Sequence, residues 1–172
     1  MAAVDTPLAF VPAAGAPFVD ASAYTNNNLA TAAAGGTTQL FAIDMRTDSV
    51  YLQNPPNNGS LNLVGPLGVS VDGNSGAAFD IYTDPSSTDD TTAGDRGLAV
   101  FTRSATAGGA YLLYEVNLTT GSISNGRLVG DGLDFSGGFA VMPTAIPEPA
   151  TFTLLAGALG LTFATRRRRW VG

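Results

Sequence analysis

Leu40-Phe41-Ala42-Ile43-Asp44-Met45-Arg46-Thr47-Asp48-Ser49-Val50 decides the fold, because the pattern returns without gaps as Leu113-Tyr114-Glu115-Val116-Asn117-Leu118-Thr119-Thr120-Gly121-Ser122-Ile123. The two stretches agree in chemical type at most positions. Each opens with a short run of period-2 alternation, Leu40 to Asp44 and Leu113 to Asn117. Each then enters a polar turn, Met45 to Asp48 or Leu118 to Gly121, that leads to a partner strand. Each copy is therefore a hairpin. Further matches follow: Leu63-Val64-Gly65 with Leu128-Val129-Gly130, and more loosely Gly76 to Ile81 with Gly137 to Val141. Their unequal offsets place loop insertions between the copies.

Two more strand patterns, Phe79 to Thr83 and Leu98 to Thr102, flank the polar loop from Asp84 to Gly97. A four-strand unit results: Ala78 to Thr83, Gly97 to Arg103, Tyr111 to Asn117 and Gly121 to Gly130. An earlier unit would use Leu8 to Val11, Ser22 to Asn26, Gln39 to Asp44 and Ser49 to Val64. A last strand, Gly138 to Met142, would begin a third unit or complete a ring by exchange. The expected fold is all-β: antiparallel propeller-like four-strand repeats, about two blades, plus a C-terminal hydrophobic helix. Two blades do not close a ring, since propellers need at least about four. The repeat region, residues 1–143, is accordingly expected to lack N-terminal units.

Composition agrees. The chain has 172 residues, 21 Gly, 10 Pro and only 13% charged residues, with no Ala/Glu/Lys/Leu bias of a helical bundle. The formal net charge of -6 conceals an asymmetry, because four of the eight basic residues form the run Arg166 to Arg169. Residues 1–145 hold thirteen acids against four arginines, a net charge of -9. A body this acidic, without a single lysine, has no footprint for a polyphosphate backbone, so no nucleic-acid partner is expected.

Absent residues narrow the chemistry further. Without Cys there is no disulfide, thiolate nucleophile or zinc-thiolate cluster. Without His, Ser-His-Asp and Cys-His catalysis are excluded, and without Lys so are Schiff bases and the P-loop lysine. Carboxylate chemistry and calcium binding are what remain. No cofactor is expected.

The C-terminus carries the sharpest signal: Ile146-Pro147-Glu148-Pro149, sixteen uncharged residues from Ala150 to Thr165, then Arg166-Arg167-Arg168-Arg169-Trp170. Two prolines around one glutamate form a stiff extended segment that a processing enzyme can grip. As a helix, residues 150–165 would span roughly 24 Å at about 1.5 Å per residue, short of the ~30 Å hydrocarbon core. Snorkelling arginine stems, an interfacial Trp170 and local thinning of the bilayer make up the difference. The positive-inside rule then places residues 166–172 in the cytoplasm and the body outside. The expected division is a Pro-rich linker at 144–149, a transmembrane sorting helix at 150–165 and a basic tail at 166–172.

These features in this order resemble the PEP-CTERM sorting signal of Gram-negative, exopolysaccharide-producing bacteria. The resemblance implies an exosortase as partner, with Pro147, Glu148 and Pro149 as sorting motif. It implies a transient anchor at 150–165 and Arg166, Arg167, Arg168 and Arg169 as stop-transfer charge. It also implies export by way of an inner-membrane-anchored intermediate to the cell surface or matrix. Proteins of that kind begin with a Sec signal peptide, whereas Met1-Ala2-Ala3-Val4-Asp5-Thr6-Pro7 has neither a basic n-region nor a long apolar h-region, so an N-terminal truncation is expected. In the body, Leu52-Gln53-Asn54-Pro55-Pro56-Asn57-Asn58-Gly59-Ser60-Leu61 followed by Val64-Gly65-Pro66-Leu67-Gly68-Val69 resembles an uncharacterised bacterial domain family of propeller-like repeats, over its C-terminal half. That resemblance implies no activity.

Two loops have a bland and a sharp reading. Asp84, Asp89, Asp90 and Asp95 make a weak calcium candidate, but their spacing matches no EF-hand or RTX repeat and suits a solvated connection. Asn54 to Gly59 could touch a sugar, yet Pro and Asn-Gly are what a long hairpin turn requires. Three functions compete. The first is a non-enzymatic exported surface or matrix protein, structural or adhesive and linked to exopolysaccharide. The second is a carboxylate-dependent glycosidase acting on that polysaccharide, with Asp80 or Asp134 as candidates. The third is a cytoplasmic structural repeat protein. The first is expected, with no catalytic residue and no metal.

Overall fold

A computed structural model describes residues 6–25, 38–71, 73, 76–83, 94–103, 109–130 and 138–141. They form nine strands in two sheets: β1 (Ala9–Val11), β2 (Val19–Tyr24), β3 (Leu40–Asp44), β4 (Ser49–Gln53), β5 (Ser60–Pro66), β6 (Ala78–Thr83), β7 (Asp95–Thr102), β8 (Tyr111–Val116) and β9 (Ile123–Leu128). The described residues are all-β, apart from one 3-10 turn at Pro56–Asn58. No helix among them is long and apolar enough to cross a membrane, and the expected sorting helix lies outside the described residues.

The second sheet runs β6-β7-β8-β9, antiparallel throughout. It is the four-strand unit that the sequence predicts. The first runs β1-β5-β4-β3-β2, and here the expectation needs correction. Ser49 to Val64 is not one strand: Pro55 and Pro56 carry no N–H for a ladder, so the chain breaks into β4, the 3-10 turn and β5. Leu8 to Val11 does not pair antiparallel within the unit either, because β1 lies parallel to β5 at the edge opposite β2, with Phe10 beside Leu61. The first sheet thus has five strands and one parallel pair. Residues 138–141 form no strand.

The repeated hairpins are real but out of phase with the sheets. Leu40 to Val50 makes β3 and β4, flanked in its sheet by β2 and β5. Leu113 to Ile123 makes β8 and β9, at the end of the other sheet. The expected alternation also gives way in β3, where all five residues are buried. Phe41 and Ile43 enter the main core while Ala42 joins Tyr51 and Leu61 in a second cluster on the other face. A strand central to its sheet and covered on both sides is buried at every position.

One core joins the sheets: Phe41, Ile43 and Val50 from the first, Phe79, Ile81, Ala99, Phe101, Tyr114 and Val116 from the second, with Leu67 and Val71 from the link between them. Phe101, Ile43, Ile81 and Leu67 are essentially inaccessible, and each such side chain contributes about 2 kcal/mol of hydrophobic stabilisation. The Phe101 and Tyr114 rings stack with centroids 4.7 Å apart.

Backbone contacts close the seam. Ile123 N donates to Leu67 O at 3.2 Å, and the turn after β8 lies on β5 so tightly that a Cβ at Gly65 would come within 2.0 Å of Thr120 O. At the other end β2 lies beside β6, where the Asp20 carboxylate accepts the Ala77 N–H. The end of β7 is tied to the link by the antiparallel bridge between Arg103 and Val71.

Candidate functional site

Carboxylates are the residues on which any chemistry would rest. Asp80 stands in the middle of β6, paired with Leu98. Its Oδ1 accepts the N–H of Ile81 at 2.9 Å and its Oδ2 the N–H of Val141 at 2.6 Å. Both oxygens are thus engaged by backbone donors. Asp20, in β2, uses its Oδ2 in the same way on Ala77. Edge strands β2 and β6 therefore carry the same device, an aspartate that holds the backbone of a segment distant in sequence. Asp134 lies outside the described residues.

Of the calcium candidate, Asp84, Asp89 and Asp90 lie outside the described residues. Asp95 opens β7 and its Oδ1 accepts the Thr83 hydroxyl, an interaction that ties the first residue of β7 to the last of β6. No group of three or more acids that could hold a metal occurs among the described residues. Asn54 to Gly59 is the β4–β5 turn: Pro56–Asn58 makes the 3-10 turn, and Gly59 takes a left-handed φ of 65° with its neighbours Pro7 O and Thr6 O too close for a side chain. Gln53 Nε2 donates to Pro56 O across it. Pro147, Glu148, Pro149 and Arg166 to Arg169 lie outside the described residues.

The most engaged acid is one that sequence reading passed over. Asp44 is fully buried at the end of β3. Its Oδ1 accepts Arg46 N at 3.0 Å, Thr47 N at 2.9 Å and the Thr47 hydroxyl at 3.0 Å, and its Oδ2 accepts Phe18 N. The segment before β2 is thereby fastened to the β3–β4 turn, where the Arg46 guanidinium also sits 5.2 Å above the Phe18 ring. The signal was present as an aspartate ahead of a polar turn, a position where Asp and Asn bond backbone N–H groups just downstream.

Sequence reading also missed a cavity of about 460 Å³, lined by Asp95, Arg96, Gly97, Glu115, Val116, Asn117, Leu118, Thr119 and Ser124. It opens where the start of β7 meets the end of β8 and the turn that follows. The Arg96 and Glu115 side chains are exposed, and each is without an ion pair or hydrogen bond to a described residue. Nothing in the sequence brings 95–97 and 115–124 together except the β7–β8 pairing, with Gly97 opposite Val116.

Among the described residues, Tyr114 has a shifted acidity: burial raises its phenol above the ordinary value near 10, partly offset by the Arg103 charge. Its hydroxyl is buried without a hydrogen-bond partner, so the Arg103 guanidinium acts through its field and not through a well-formed bond.

With this geometry in view, residues 1–137 match the family described as "Domain of unknown function (DUF4394)". Residues 145–169 match the PEP-CTERM protein-sorting motif. No curated protein and no solved structure matches the chain. The chain belongs to the first family by a match over most of its length, and it carries the second as an appended sorting motif. That motif marks a protein processed by an exosortase, with membrane association on the way to the exterior or the cell surface.

Proposed function

We propose that this member of the DUF4394 family is a non-enzymatic surface or matrix scaffold, held at the inner membrane by residues 150–165 until an exosortase acts at Pro147-Glu148-Pro149. The observation that carries the reading is the sorting motif at residues 145–169. The body contributes by elimination. It has no His, Cys or Lys, and the one described carboxylate considered for glycoside hydrolysis, Asp80, has both oxygens engaged by backbone N–H groups. A glycosidase needs two free carboxyl groups, roughly 5 to 9.5 Å apart, facing one bond.

The architecture proposed for the body is a run of propeller blades. Support comes from the paired edge strands: β2 lies beside β6, and Asp20 and Asp80 hold Ala77 and Val141 in the same manner. Such a repeat makes each unit dock on its neighbour and presents an extended non-catalytic surface. Association of that surface with exopolysaccharide is the adhesive role we assign to it.

Incubating the exported protein with matrix from its producer tests the reading. Sedimentation of the protein with the matrix, without release of new reducing ends, is expected. Release of reducing ends, abolished by Asp80→Asn or Asp134→Asn, would replace the scaffold with a glycosidase.

A further inference from the structure

We propose that the cavity between the start of β7 and the β8–β9 turn is a binding site for a single neutral glycosyl unit. The proposal rests on the matrix-association reading above and names the chemistry by which one site would serve it.

The wall groups select the ligand. Glu115 offers only acceptors and Arg96 only donors, and neither is engaged by a described residue. Thr119 and Ser124 add exposed hydroxyls. Asn117 adds an amide whose Oδ1 is taken by Thr119 N at 2.9 Å and Thr120 N at 3.0 Å, which holds the side chain and leaves its NH₂ as the remaining donor group. Val116 and Leu118 are buried in the main core and offer no apolar wall to a ligand. At about 460 Å³ the cavity lies within the 300–1,000 Å³ range of small-molecule sites.

Other ligand classes fit worse. An apolar molecule would strip water from Arg96 and Glu115 and return no hydrogen bond. An anion would meet Glu115 and Asp95 in a body of net charge -9, and a divalent cation would meet Arg96, with no triad of acids among the described residues to hold it. Vicinal hydroxyls satisfy all of the walls at once: they donate to Glu115, accept from Arg96 and Asn117, and exchange bonds with Thr119 and Ser124. A zwitterion, such as an amino acid, is the nearest competitor. It uses the two charged groups only and leaves the three neutral ones idle.

The test is saturation-transfer NMR on the full chain in detergent micelles, with methyl β-D-glucopyranoside, methyl α-D-mannopyranoside and N-acetylglucosamine as probes and glycine and D-glucuronate as competitors. At least one neutral sugar should bind, uncompeted by glycine. Glu115→Gln and Arg96→Gln should each weaken binding tenfold or more, while Arg127→Gln on β9 leaves it unchanged. Both tested side chains are exposed, so circular dichroism should be that of the wild type. No transfer to any neutral sugar, displacement by glycine or glucuronate, or wild-type binding by both variants would overturn the proposal. Matrix sedimentation that survives both variants would sink this site alone and leave the scaffold reading standing.

Discussion

Asp44 and Asn117 close the same turn in two different sheets: the Oδ1 of each accepts the backbone N–H groups of the second and third residues after it, all at 2.9 to 3.0 Å. Asp44 does one thing more, since its Oδ2 also accepts Phe18 N. The turns differ in burial as well, with Asp44 inaccessible and Asn117 exposed.

Asp44→Asn should therefore be costly and Asn117→Asp nearly silent. An asparagine at 44 keeps the Oδ1 bonds but turns an NH₂ toward Phe18 N, leaving two donors face to face at a partly buried site, at a cost of about 1 to 3 kcal/mol. The exchange at 117 keeps both acceptor bonds and is solvated, so a change within about 0.5 kcal/mol is expected. Urea midpoints of the two variants check this; equal destabilisation would show that the Phe18 bond does not contribute.

The seam between the sheets rests on two glycines. A Cβ at Gly65 would lie 2.0 Å from Thr120 O, and one at Gly121 would lie 2.3 Å from Gly65 O. Both neighbours are backbone, so relief requires moving the β8–β9 turn away from β5. Gly65→Ala and Gly121→Ala should each cost about 3 kcal/mol or more. Gly68→Ala meets nothing within 4 Å but must hold a φ of +80°, so about 1 kcal/mol is expected. Thermal unfolding of the three variants gives the comparison.

Tyr114 predicts a pH effect of definite sign. Burial raises the phenol in the folded state, so the stability linked to its neutral form is fully present below the unfolded value near 10. It is lost as pH rises through the folded value. The wild type should lose stability faster than Tyr114→Phe above about pH 10. At neutral pH the phenylalanine should be more stable by on the order of 1 kcal/mol, because it removes a buried hydroxyl that has no partner. Urea titrations at pH 7 and pH 10.5 measure both.

The sequence made the second sheet legible because its strands are local: β6 to β9 follow one another, each beside the next. The hairpin around Asp44 was legible for the same reason. Partnerships that bridge distant residues were not. Nothing in Ala9–Val11 says that it will lie parallel to β5, and its placement rests on Phe10 packing against Tyr51 at a centroid distance of 4.9 Å. The prolines and Asn-Gly of Asn54 to Gly59 were legible as a hairpin turn, and that turn divides the run from Ser49 to Val64 into β4 and β5. Asp80 drew notice as a carboxylate following Phe79 in a strand, while its bond to Val141 N, sixty-one residues away, was beyond any local pattern. The cavity at Arg96 and Glu115 exists only through the pairing of β7 with β8, beyond the reach of any local pattern.

The central claim is that residues 145–169 direct processing outside the cytoplasm. Its most direct measurement is the mass of an exported reporter carrying residues 140–172, expressed in a host with an exosortase and in the same host lacking it. The account predicts a membrane-held precursor and a shorter released product in the first host and precursor alone in the second. Glu148→Ala and Pro149→Ala should accumulate precursor in both. Equal processing of the wild type and both variants, or a released product in the host without the exosortase, would contradict it.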